Sequence, residues 1–315
     1  MARPCHYIGD HMRDHLIDRI IPKHAVHLVG GPSGSNKTTM LLQLLVQEWS
    51  KGRPVFGNTS HPVPWVYISA DRPSDSVWET MERIGIPKDS VRIYSVVDHG
   101  KVMDIESVIK ECLTMTPRPE LVVIEGLASL MKGSYNNYQH VAKLLTLLTL
   151  ICTKEQITII GVVHSTKTKQ GEEFLNPRQR VMGSVAWAAY SETILLLEPL
   201  GLEKDSTTNL RRLFVLPRNS KEFSIDFQLD ANGRLTAIAT EKEDDLAEAL
   251  VLVHTQTMKP NETFSTADFV FQVEQLGYKK RTAEKILTKF TEEGIFTQIG
   301  KGRYRKVNGP PTSTH

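Results

Sequence analysis

Along the first two thirds of the chain, short apolar runs alternate with stretches in which apolar residues recur every three or four positions. AVHLVGG (25–31), WVYISA (65–70), VRIYSVV (91–97), LVVIEGL (121–127) and ITIIGVVH (157–164) read as buried strands. TTMLLQLLVQEWSKG (38–52) sets Met40, Leu41, Leu44, Leu45 and Trp49 at helical spacing and stops at Gly52, and SDSVWETMERIG (74–85) repeats the pattern. Near-continuous Val/Ile/Leu strands separated by helices predict an α/β fold whose mainly parallel sheet is covered on both faces. The pattern then changes. ETILLLEPL, RRLFVLPRN, FSIDFQLD and GRLTAIAT follow one another as strands joined by turns, one of them the Asp-Ala-Asn-Gly tetrapeptide at Asp230, so the core is expected to end β-rich.

A charged segment, TEKEDDLAEALVLV, opens a separate helical unit. One helix starts at Thr266-Ala267-Asp268, another runs from Lys280 to Glu293 and ends at Gly294, and IFTQIGKGRYRKV closes as two strands around a Lys-Gly turn. Helix, helix, helix, hairpin is the order of a winged helix-turn-helix. The expected division is a core over 1–240, a winged helix over 241–308 and a disordered tail over 309–315.

Composition narrows the class. A chain of 315 residues accommodates one large core and a small second domain. The longest apolar run, Leu144 to Cys152, is interrupted by Thr146 and Thr149 and is too short to span a bilayer, and the charged N-terminus has no signal-like apolar stretch. A cytoplasmic protein with no membrane partner is expected. Cys5, Cys112 and Cys152 form no CxxC pair, so neither a disulfide framework nor a zinc site is indicated. The formal net charge is only +2, yet Tyr278 to Lys306 holds nine Lys/Arg against three Glu, which leaves the rest of the chain net negative. A basic appendage on a mildly acidic body follows.

The chemistry begins at GGPSGSNKTTM, from Gly30 to Met40. Gly31, Pro32, Ser33, Gly34, Ser35, Asn36, Lys37 and Thr38 keep the frame G-x-x-x-x-G-K-[ST], followed by Thr39, with a strand before and a helix after. Such a loop turns backbone N–H groups toward phosphates, while its lysine reaches the β- and γ-phosphates and its hydroxyl binds magnesium. ATP and Mg2+ are the expected cofactors. Asn36 replaces the last glycine. Asparagine is among the few residues that tolerate left-handed backbone, so that requirement can survive, but its carboxamide must turn aside or itself donate to a phosphate.

The stretch LIDRIIPKHAVHLVGGPSGSNKTTMLLQLL resembles the opening of RecA-like ATPases, and most nearly the RepA-like branch of hexameric replicative helicases and their phage relatives. The resemblance spans roughly residues 15 to 230. It implies a RecA core, ATP hydrolysis between subunits of a homo-oligomeric ring or filament, and single-stranded DNA at the centre. LVVIEGL resembles the family's magnesium-coordinating strand, with Glu125 where Asp is usual, so Thr38 and Glu125 are the implied metal residues. YISADRP resembles a strand ending in Ser-Ala-Glu-Asp-Pro, with Asp71 where Glu polarises the attacking water. The two carboxylate lengths are exchanged, and misplacement on the order of 1 Å can slow turnover about a hundredfold. His164 falls where a polar residue senses the γ-phosphate, although a structural histidine is an equal alternative. Arg218, with Lys221 and Arg212 behind it, corresponds in place to a finger reaching into a neighbour's site.

The resemblance further implies that loops after the fourth and fifth strands grip nucleic acid. MKGSYNNYQH offers Lys132, Tyr135 and Tyr138, and STKTKQGEEFLNPRQR offers Lys167, Lys169, Arg178 and Arg180 as cations for phosphates. In the basic appendage, Lys280, Arg281 and Lys285 on a helix and Arg303 and Arg305 on the hairpin could contact duplex DNA, or the module could dock a replication or recombination protein. Two functions remain open from sequence: a DNA-associated motor ATPase of helicase type, and a nucleotide-switched oligomeric regulator with little hydrolysis. A small-molecule kinase fits the β-rich core end and basic C-terminus less well.

Overall fold

The structure, a computed structural model, describes residues 14–100, 104–165, 177–180, 185–200, 209–238, 261–275 and 280–307, together with Val251, Thr255, Met258 and Tyr278. In chain order its core elements are β1 His15–Ile17, β2 Ile21–Pro22, β3 Val26–Gly30, α1 Lys37–Leu42, β4 Trp65–Ser69, α2 Ser74–Arg83, β5 Ile93–Ser95, α3 Ile105–Cys112, β6 Leu121–Glu125, α4 Tyr138–Glu155, β7 Thr158–Val162 and α5 Ala186–Tyr190. They continue as β8 Thr193–Pro199, β9 Leu210–Pro217, β10 Phe223–Leu229 and β11 Leu235–Ala237.

Among the described residues, nine strands form one sheet in the order β11-β10-β9-β8-β3-β7-β6-β4-β5. The pairs β3–β7, β3–β8, β6–β7, β4–β6 and β4–β5 are all parallel. This is the mixed α/β fold with a large, mainly parallel sheet that the apolar runs predict.

Alternate strand residues face opposite layers, which is why these strands are apolar throughout. Leu28, Ile68, Ile124, Ile159 and Leu196 pack with Val108 and Ile109 of α3 and Leu145 and Leu148 of α4. On the other face, Val29, Tyr67, Val123, Ile160 and Leu197 pack with Met40 and Leu41 of α1 and Val77 and Met81 of α2. The short pair β1–β2 precedes the first long strand. No sequence signal marked it, because two- and three-residue strands carry no periodicity. The run 38–52 is one helical path of three kinds, with α1 passing into a π-helix over Gln43–Glu48 and a 3-10 turn over Trp49–Lys51.

The chain divides into two compact units, one formed by Met1–Glu198 with Arg211–Thr236 and the other by Pro199–Leu210 with Ala237–His315. This division differs from a single break at residue 240. Leu200 and Leu210 are buried with Phe269, Phe290 and Phe296, so the β8–β9 connection clusters with the second unit. In that unit β12 (Thr263–Ser265), β13 (Phe296–Gly300) and β14 (Arg303–Lys306) form an antiparallel sheet in the order β12-β14-β13. Helices Thr266–Gln275 and Lys280–Glu292 accompany it, the latter burying Ala283, Ile286, Leu287 and Phe290 on one face. The preceding charged segment and the tail after Val307 lie outside the described residues, apart from Val251. Among the described residues no helix is long and apolar enough to cross a membrane.

One core histidine gives the fold a pH dependence. His27 of β3 is fully buried; its Nε2 lies 2.9 Å from the Pro22 carbonyl oxygen, and its Nδ1 has no partner. That arrangement suits a neutral ring donating through Nε2. Burial lowers its pKa to about 4 from 6.5, with the Pro22 bond opposing the shift. Above pH 6.5 both folded and unfolded chains hold the ring neutral; between 6.5 and 4 the unfolded chain takes up a proton that the folded chain refuses. Urea unfolding is therefore expected to show about 3 kcal/mol of stability lost from this group over that interval. His27→Gln, which can still donate to Pro22 but does not titrate, is expected to flatten the slope accordingly.

Candidate nucleotide site

Parallel strands bring their C-terminal ends to one edge of a sheet, and ligands of open α/β sheets bind there. Here Gly30, Ser69 and Glu125 end β3, β4 and β6, and Ser69 is directly paired with Glu125. Asp71 and His164 lie two residues beyond the ends of β4 and β7. The sheet order β3-β7-β6-β4 therefore sets the Gly-rich loop beside these residues.

The loop folds tightly over its own start. Ser35 N donates to Pro32 O at 3.2 Å, and Ser165 N, after β7, donates to Gly31 O at 3.0 Å. The Lys37 ammonium donates to the carbonyls of Gly31 and Pro32, both at 2.8 Å. A side chain at Gly31 has no room, since its Cβ would stand 2.3 Å from the Leu197 carbonyl oxygen. Ser35 Oγ is buried without a partner, a polar atom left unsatisfied within the loop. Burial lowers the Lys37 pKa to about 8, with Glu125 opposing and Arg72 assisting.

Asn36 has φ 71°, the left-handed backbone that a glycine would otherwise supply. Its Oδ1 accepts from Arg211 Nη2 at 3.3 Å, and its Nδ2 lies beside Gly233, at 3.4 Å from where a Cβ would sit. The carboxamide thus turns toward β9 and the β10–β11 turn.

Glu125 is the hub of the site. Its carboxylate is buried and accepts from the Thr38 hydroxyl, from Tyr67 OH at 2.6 Å and from the Arg72 guanidinium. Arg72 Nη2 also donates to Thr38 Oγ1 at 3.2 Å. Burial first, and then the Glu125 charge, raises the Tyr67 phenol well above its ordinary pKa, so it remains a donor. Thr38 and Glu125 supply a hydroxyl and a carboxylate side by side, the hard oxygen donors that Mg2+ takes alongside phosphate and water. They fit that ion. Among the described residues no cluster of three His, Cys, Asp or Glu side chains could hold a metal alone, as a site completed by phosphates would have it.

Asp71 lies against the backbone of Gly126, where a Cβ would come within 2.5 Å of its Cγ; Gly126 meets that approach with φ 71°. His164 is exposed, yet burial by its surroundings lowers its pKa and the Lys37 charge adds to the effect, while Asp71 and Glu125 oppose it. Lys37, Asp71, Glu125 and His164 therefore share one electrostatic neighbourhood.

The other named residues lie elsewhere. The Arg218 side chain donates to the Ala189 carbonyl, and Arg212 is clamped on Asp226 by bonds of 2.7 and 2.8 Å. Arg178 bonds Glu222 at 2.8 Å and the Pro217 carbonyl at 2.7 Å. Lys132 is exposed, and Tyr138 meets Tyr190 edge to face with centroids 6.4 Å apart. Lys167, Lys169 and the Arg180 side chain fall outside the described residues. In the second unit Lys280, Arg281, Lys285, Arg303 and Arg305 are all exposed.

Three side chains at the site escaped the sequence reading: Tyr67, Arg72 and Arg211. Tyr67 and Arg72 flank the strand end that supplies Asp71. A buried tyrosine two residues before the end of an apolar strand is the one signal that could have pointed to a buried polar partner.

Gly31→Ala is expected to destabilise the protein by about 1–3 kcal/mol, because relief of the clash with Leu197 requires backbone movement rather than a rotamer change. Denaturant unfolding measures it. Gly57→Ala, whose Cβ would enter open space but whose φ is 73°, is the control that isolates backbone strain from collision.

Comparison with known proteins places these features. A family model described as an AAA domain matches residues 9–170, just over half of the chain, and includes the Gly-rich loop, Asp71, Glu125 and His164. A solved helicase ATPase domain superposes with a TM-score of 0.51, covering 69% of this chain and 86% of that chain at 11% identity, a likeness of fold. No curated protein matches. The chain belongs to the AAA domain family, and its core is a RecA-like phosphate-loop fold.

Proposed function

We propose that the protein is a DNA-associated ATPase of RecA-like, helicase-related type, which couples Mg2+-ATP binding and hydrolysis between subunits of a homo-oligomer to the binding of single-stranded DNA. The observation that carries this reading is the contact of Thr38 with Glu125 beside a loop whose Lys37 ammonium lies on its carbonyls. In the proposed complex, triphosphate oxygens replace those carbonyls as partners of Lys37, and loop amides around Ser35 take up the remaining phosphate charge. Thr38 and Glu125 would hold magnesium, which when bound offsets the charge on the β- and γ-phosphates. Asp71, braced against Gly126, orients the attacking water and accepts its proton, and His164 reports on the γ-phosphate. Arg218 is assigned to the neighbouring subunit's site; its present partner is a single backbone carbonyl that it can exchange.

Lys132 with Tyr135 and Tyr138, and the segment bearing Lys167, Lys169, Arg178 and Arg180, are assigned to the nucleic-acid backbone and bases. The C-terminal unit is assigned as a winged helix whose exposed Lys280, Arg281, Lys285, Arg303 and Arg305 extend the contact to DNA. The i, i+4 pairs Lys280–Glu284 and Lys289–Glu293, both at 3.8 Å, leave the basic surplus of this unit largely unneutralised.

The test is nucleotide turnover with and without single-stranded DNA, joined to strand displacement. Wild-type protein is expected to hydrolyse ATP faster with DNA. Lys37→Ala is expected to weaken nucleotide binding by about 10–100-fold, the worth of charge-assisted hydrogen bonds. Asp71→Asn is expected to bind nucleotide normally but to lose about 100-fold or more in turnover. Tight binding with negligible turnover and no unwinding would replace the motor with a nucleotide-switched regulator.

A further inference from the structure

We propose that Arg72 is a built-in competitor of magnesium: its guanidinium holds the Thr38–Glu125 pair in a closed state from which it must be displaced before a metal–nucleotide complex can be seated. The inference rests on the nucleotide reading above. A cation already bridges the two oxygen donors that would hold the ion, since Arg72 Nη2 contacts both Thr38 Oγ1 and the Glu125 carboxylate.

The bridge is preorganised. Ser69 Oγ donates to the Arg72 carbonyl at 2.7 Å and Ser95 Oγ donates to it at 3.2 Å, so the backbone of this residue is pinned from two strands. With the main chain fixed, the half-buried side chain reaches back to a carboxylate that is itself only 9% exposed. Tyr67 OH secures Glu125 Oε2, the same oxygen that takes the guanidinium, while Thr38 takes Oε1. The carboxylate therefore has no oxygen uncommitted in this state.

Two cations cannot share that position. A dication bound at Thr38 and facing Glu125 would repel a guanidinium in hydrogen-bond contact with both, and low local dielectric strengthens the repulsion. Magnesium also demands near-octahedral oxygen geometry, which a planar nitrogen donor in the same shell obstructs. Arg72 stands where the resembled motif Ser-Ala-Glu-Asp-Pro has an acid, so this chain carries a positive charge at a position otherwise of the opposite sign. Entry of the metal therefore exchanges one ion pair for another, and the affinity for magnesium is reduced by the stability of the pair it displaces.

The experiment titrates MgCl2 into full-length protein at a fixed concentration of ribose-labelled, non-hydrolysable ATP analogue and follows the label's fluorescence anisotropy. Arg72→Gln, which removes the charge but can still bond Glu125, is expected to lower the half-saturating magnesium concentration about tenfold, as expected for loss of a competing charge-assisted bond. Arg72→Lys, which retains the charge with a point-like head, is expected to fall between the two and serves if Arg72→Gln does not fold. Coincident curves, or a variant that needs more magnesium than wild type, would overturn the proposal while leaving nucleotide binding intact. Absence of analogue binding by wild-type protein at every magnesium concentration would overturn the nucleotide reading and this proposal together.

Discussion

The site depends on one constraint: a carboxylate that is buried must have its lone pairs filled. Glu125 ends a strand in the middle of a parallel sheet, where the adjacent strands leave little access to water. Its partners come from three separate places along the chain, namely the first helical turn after the Gly-rich loop, the middle of β4 and the residue just past Asp71. Satisfying one side chain therefore fixes the loop, the sheet edge and the β4–α2 connection relative to one another. Removal of any single donor leaves buried charge without compensation, which costs more than the bond itself contributes.

The sheet was legible in the sequence because its central strands are buried on both faces. AVHLVGG, WVYISA, LVVIEGL and ITIIGVVH could belong to little else, and all four became neighbours in one parallel array. Strand lengths were less legible. VRIYSVV contracts to Ile93–Ser95, because apolarity continues into a connection that is buried but not paired. The Gly-rich frame was likewise visible, since its residue types are dictated by backbone geometry: Asn36 takes the left-handed conformation that its chemistry permits.

What the sequence withheld were partnerships between residues far apart. Tyr67 reads as one more apolar strand residue, and only its neighbour in the sheet shows that its hydroxyl matters. Arg72 reads as a surface arginine in a polar turn. Its meaning comes from two serines that hold its carbonyl and from a carboxylate more than fifty positions away. Arg212 and Arg178 illustrate the reverse. Each belongs to a basic segment that sequence reasoning associates with phosphates or a neighbouring site, and each is engaged with an acidic side chain of its own core.

Asn36 and Arg211 are 175 positions apart, yet one hydrogen bond joins them. Exchange of the asparagine takes an acceptor from a deeply buried guanidinium, and loss of the arginine frees a carboxamide at the rim of the loop. Neither position is then neutral by itself, so descendants of this chain should alter them as a couple. An inventory of lineages that scores the glycine-rich segment in isolation would dismiss variants whose remedy is written on the far side of the sheet.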